Sequence, residues 1–169
     1  KVRLYDDNVE LKADDFLEKE FQDISVDDLG LDSLVTETLK IRFEELKKCF
    51  SAKAHLAVIF LSGSSLEGIL HGIALKSPKE FNQAKSAPKD KDEKVKQFHE
   101  WSLNQLIDVS FELGLIKEDV KKFSHALRDF RNYIHPYQQV SAGFNPDHHT
   151  AKICFQVVKA GICQLSKNK

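Results

Sequence analysis

Residues 123–137 read Phe-Ser-His-Ala-Leu-Arg-Asp-Phe-Arg-Asn-Tyr-Ile-His-Pro-Tyr, the spacing in this chain most capable of chemistry. On one helix, Arg128, Arg131, Asn132 and His135 stand at i, i+3, i+4 and i+7. At about 100° per residue they fill one stripe roughly 100° wide. Phe123, Leu127, Phe130 and Ile134 keep the same period on the other side and are predicted to be its buried face. The polar stripe gathers two guanidiniums, an amide and an imidazole. That set suits phosphate chemistry, because Arg forks bind phosphate oxygens and a His moves a proton near neutral pH. Pro136 is predicted to end the helix just past His135.

The elements that must hold this stripe are helical. With 169 residues the chain fits one domain, and its low Gly (7) and Pro (4) content favours an all-α class. Residues 1–32 read as an acidic N-terminal extension with a short helix around 14–21, and residues 33–169 as a four- to five-helix up-down bundle. From Ser33 an amphipathic pattern runs into an apolar stretch ending at Leu75, as one long helix or two, with Ser62-Gly63-Ser64-Ser65 as the expected bend. Residues 76–94 hold Pro78, Pro88 and a Lys/Asp/Glu run and are predicted to be a solvated loop. A helix follows over about 95–113, with Gly114 as its terminator. The motif helix covers about 117–135, a loop follows, and the last helix covers about 148–165.

Charge narrows the partners. The net charge is −1, so the whole molecule does not attract nucleic acid by charge alone. Its distribution is uneven: residues 1–33 carry a net −7 and residues 34–169 a net +6, which suits an acidic front on a mildly basic body. Three cysteines (Cys49, Cys154, Cys163) without CxxC spacing read as free thiols of a reducing compartment. The opening Lys-Val-Arg-Leu-Tyr-Asp-Asp has no leader-peptide pattern, and the expected location is cytoplasmic. The stretch 56–75 is long enough to span a membrane, but Glu67, His71 and its glycines and serines predict a buried core helix instead, with no membrane partner.

Leu-Arg-Asp-Phe-Arg-Asn-Tyr-Ile-His-Pro resembles the signature of the HEPN superfamily, small helical bundles that include metal-independent ribonucleases and toxins of prokaryotic defence and toxin–antitoxin systems. That signature is Arg, four to six residues, then His, often with a polar residue directly after the Arg. Arg128-Asp129 with His135 meets it with six intervening residues; Arg131-Asn132 has the common Arg-Asn form but only three residues before His135. The resemblance is specific over about 15 residues and extends loosely, as helix order, over residues 34–165. It implies RNA cleavage by the neighbouring 2′-hydroxyl, with His135 as general acid or base and Arg128 stabilising the transition-state charge. Arg131 and Asn132 would be accessory phosphate-binding residues. It implies no cofactor and no metal, and a homodimer whose motif helices meet at the site. Tyr137, two residues after His135, is similar to the residue modified in toxins that pair with a nucleotidyltransferase antitoxin. Some relatives act only as binding domains, so the alternative is a non-catalytic module for nucleotide, RNA or a protein partner.

Other signals have plainer explanations. Leu29-Gly-Leu-Asp-Ser-Leu34 resembles a phosphopantetheine attachment site at Ser33, but Asp32 or Ser33 as a helix N-cap accounts for the same residues. His148-His149 read as a solvated first helical turn rather than metal ligands, since adjacent helical residues point about 100° apart. Glu67 and His71, at i and i+4, read as a hydrogen-bonded pair within the apolar helix.

Overall fold

The computed structural model describes residues 16, 21, 24–133 and 135–167, and among them it contains seven α-helices and no strand. They are α1 (Ser33–Ser51), α2 (His55–Lys76), α3 (Pro78–Gln83), α4 (Leu103–Glu112), α5 (Glu118–Asn132), α6 (Pro136–Ala142) and α7 (His148–Ser166). Helix starts follow local chemistry. Asp32 caps α1 by accepting from the amides of Leu34 (2.9 Å) and Val35 (3.3 Å), which assigns the Asp-Ser pair to helix initiation. Ser102 and Gln105 form a capping box at α4, and Asp147 accepts from the Thr150 amide at α7. Gly114 and Gly143 follow α4 and α6 in the left-handed conformation (φ +71° and +60°).

The apolar helix α2 is the axis on which the rest is built: α1, α4, α5 and α7 all pack on it. It is long and apolar enough by composition to cross a membrane, and Val58, Ile59, Leu66, Ile69 and Leu70 are buried in the core. The described part of the acidic N-terminal segment joins the same core. Phe16 stacks on Phe123 (centroids 4.5 Å apart), its carbonyl accepts from the Gln156 side chain, and Val26 and Leu29 are buried. The predicted helix around 14–21 otherwise lies outside the described residues.

Three boundaries differ from expectation. The chain turns between α1 and α2 at 52–54, where Lys53 takes a left-handed φ of 58°, and not at Ser62–Ser65. The Ser-Gly-Ser-Ser run continues through α2 because its small residues face neighbouring helices, with Ser62, Gly63 and Ser65 buried. The helix predicted over 95–113 begins only at Leu103, after a 3-10 turn at Phe98–Glu100 whose Phe98 packs on Trp101 and Phe81. The loop predicted over 76–94 contains α3, which Pro78 starts at a position where its missing amide costs nothing. Its far end is held by Glu112, which accepts from the amides of Lys85 (2.6 Å) and Ser86 (2.8 Å).

Candidate functional site

The motif residues fall on two helices, not one. α5 stops at Asn132, and His135 is the N-cap of α6 in an extended conformation (φ −83°, ψ 122°). The cause is local. A residue preceding proline is pushed out of the helical region, so Pro136 acts one position further back than its own missing amide would. The expectation of one helix over 117–135 is therefore corrected, and His135 does not continue the stripe of Arg128 and Arg131. On the apolar side Phe123, Leu127 and Phe130 are buried as the period predicts; Ile134 lies outside the described residues. Phe144 returns after α6 to stack on both Phe130 (5.4 Å) and Tyr133 (4.7 Å), which pins α6 against the end of α5.

The two arginines have different surroundings. Arg131 crosses to α2, where its guanidinium pairs with Glu67 and its aliphatic stem lies on Gly63. A Cβ at position 63 would approach Arg131 Cδ to 2.7 Å, so the arginine passes through space that only glycine leaves open. The partner found for Glu67 is thus an arginine 64 residues away, where the sequence pointed to His71 one turn on. Arg128 points to α4 instead. Its Nε donates to Asp129 (3.0 Å), Nη2 also donates to Asp129, and Nη1 donates to Asn104. The Asn132 side chain lies outside the described residues.

His135 and Tyr137 are exposed, Tyr137 at 92%. The His135 carbonyl accepts from the Gln139 amide (3.0 Å), while its ring makes no hydrogen bond to another described residue. An open groove of about 550 Å³ lies alongside, lined by Asp129, Tyr133, Tyr137, Gln138, Ser141 and Ala142. Asp129 is the hinge of the arrangement: it lines the groove and holds the Arg128 guanidinium.

Sequence reasoning missed the polar seam between α4 and α5. Asp108 of α4 is contacted by Nε2 of His125 (3.1 Å) and Nζ of Lys121 (3.5 Å), and it accepts from Nδ2 of Asn104 (3.1 Å), whose own carbonyl receives Arg128. The spacing is in the sequence: Lys121, His125 and Arg128 stand at i, i+4 and i+7, one heptad before Arg128, Asn132 and His135.

Elsewhere the candidate ligands are dispersed. Among the described residues no three His, Cys, Asp or Glu side chains gather as a metal site would require. His148 packs its ring on Phe50 (5.2 Å) and His55 (5.8 Å). The three cysteines are free thiols, and burial pushes the Cys154 thiol far above its ordinary range. No family model, curated protein or solved structure matches this chain.

Proposed function

We propose that the chain is an HEPN-type endoribonuclease that cleaves RNA without a metal, at a site assembled from the α5–α6 corners of two copies. The observation that carries this reading is the condition of His135. It is an exposed imidazole with no hydrogen bond to another described residue, set at a proline-enforced helix break. The groove lined by its near neighbours Tyr133 and Tyr137 shares Asp129 with the Arg128 guanidinium. Tyrosine faces suit stacking of unpaired bases, and Arg128 supplies the charge for a phosphate once that phosphate displaces Asp129. His135 then serves as a proton donor or acceptor in the attack of the 2′-hydroxyl. Arg131, engaged with Glu67, supports the site by holding α5 on α2. Tyr137 and Val140 (81% exposed) give α6 an uncovered apolar edge beside His135, which a second copy would cover. The exposure of Tyr137 also suits its modification by a nucleotidyltransferase partner.

A second reading, a binding module without catalysis, is favoured by one observation: each described guanidinium of the motif is already hydrogen bonded within the chain. One experiment separates the two. Purified protein is incubated with RNA in EDTA, wild type beside His135→Ala. The ribonuclease reading expects cleavage by the wild type and its loss in the variant. Cleavage that persists in His135→Ala, or that requires Mg²⁺, removes it; RNA binding by an intact dimer without cleavage selects the binding module.

A further inference from the structure

Cleavage through a 2′-hydroxyl needs two proton transfers, one from the attacking oxygen and one to the departing 5′-oxygen, whereas His135 supplies a single imidazole. Within the chain the imidazole near Arg128 is a different one. His125 is three residues before Arg128 on α5, a spacing that makes the two side chains neighbours, whereas His135 lies beyond the helix break. The rise of α5 from residue 125 to 132 is about 10 Å, which sets His125 nearly two turns before the helix break that precedes His135.

The seam between α4 and α5 holds His125 as a proton acceptor would be held. Nε2 lies 3.1 Å from Asp108 Oδ1, and because a carboxylate only accepts, Nε2 carries the hydrogen in that contact. In the neutral ring the lone pair is then on Nδ1. Asp108 is itself fixed, by Lys121 at 3.5 Å and by Asn104 at 3.1 Å, and Asn104 also accepts from Arg128. A continuous chain of polar contacts thus ties the imidazole to the guanidinium. The His125 side chain is 26% exposed and that of Arg128 31%, so both are anchored without being sealed from a ligand. For a helix surface this is more order than two isolated side chains require, and it leaves the ring one defined orientation.

We propose that His125, oriented by Asp108, is the second proton-transferring residue of the RNA site, accepting the 2′-hydroxyl proton beside Arg128. The proposal rests on the ribonuclease reading above and completes its chemistry. The 2′-O–H proton passes to Nδ1 of His125, the bond from O2′ to phosphorus forms, and the bond from phosphorus to O5′ breaks. O5′ leaves with a proton from His135 of the partner subunit. The products are a 2′,3′-cyclic phosphate and a 5′-hydroxyl, and no further reactant is consumed. Asp108 is a positioning residue in this scheme.

The test uses the full chain and a single-stranded RNA in EDTA. His125→Ala is expected to lose about 10²- to 10⁴-fold in cleavage, with partial recovery on adding free imidazole. Asp108→Asn is expected to lose less and to gain nothing from imidazole. His125→Gln, which retains a donor toward Asp108, serves where the alanine variant fails to fold, and thermal melts identify that case. Loss without imidazole recovery in a folded His125→Ala assigns the seam to structure and overturns the proposal. Wild-type cleavage that vanishes in His135→Ala but stays within twofold in His125→Ala or His125→Gln overturns it while leaving the ribonuclease reading intact. A wild type that leaves RNA whole overturns both.

Discussion

Arg131 and His135 are four residues apart, and a helical reading places them on one face; the fold separates them into an anchored side chain and an uncovered one. Arg131, inside α5, reaches Glu67 across Gly63 of the central helix. His135, past the break imposed by Pro136, is exposed and its imidazole makes no hydrogen bond to another described residue. A polar stripe is not a site merely because its members share a period. Those that remain on the helix are available to neighbouring helices and become ties, while the one displaced beyond the break stays available to a ligand.

The Arg131 anchor is most vulnerable at Gly63. Gly63→Val inserts branched carbons where the Cβ alone would meet Arg131 Cδ at 2.7 Å, and the overpacking is expected to cost about 1–3 kcal/mol in urea denaturation. An unchanged midpoint would mean that Arg131 moves away freely and is no anchor. Arg131→Ala comes next. It leaves Glu67 half-buried without its partner and is expected to lose about 1 kcal/mol, against no more than about 0.5 kcal/mol for His135→Ala. Equal losses for the two would erase the distinction.

Pro136→Ala sharpens the same contrast from the backbone side. Without the ring, residue 135 is released from its extended restriction, and backbone chemical shifts at His135 should move toward helical values, with a stability change below about 1 kcal/mol. Unchanged shifts would assign the break to the Phe130–Phe144–Tyr133 stack instead.

The smallest effect is expected from mild acid. Hydrogen bonds from Ser86 and the Lys85 amide hold the Glu112 carboxyl below its ordinary range, and the Lys40 side chain does the same to Asp27. A carboxyl whose folded value is depressed contributes stability above its unfolded value and loses it as pH falls through the folded one. Melting temperature should therefore drop slightly as pH falls below the usual carboxylate range, and Glu112→Gln should flatten part of that slope. Glu112 ends α4 four residues after Asp108, but it bonds Lys85 and Ser86, and Asp27 bonds Lys40; neither carboxyl joins the polar contacts of the α4–α5 seam, so cleavage near neutral pH should not follow the same curve.

Much of this architecture was legible from local pattern. The buried side of α5 at Phe123, Leu127 and Phe130, the cap at Asp32, the apolar helix through Leu66 and the last helix from His148 all follow from periodicity and capping, which act within a few residues. Even the early end of α5 is encoded locally, in the His135-Pro136 pair, because the residue before a proline is held out of the helical region. The turn at Lys53 was not legible, because it depends on α1 and α2 packing face to face rather than on a breaker residue.

The sequence by itself determined an all-helical chain, the amphipathic faces of its helices and the concentration of Arg, Asn and His in residues 128–135. Which polar side chains of α5 are committed depends on the tertiary structure. Arg131 joins Glu67, Arg128 joins Asn104, and His125 joins Asp108, over sequence separations of 64, 24 and 17 residues. Periodicity states which side of a helix a residue occupies, but a charged group's partner is chosen by the helix packed opposite, and that choice exists only once the chain has folded.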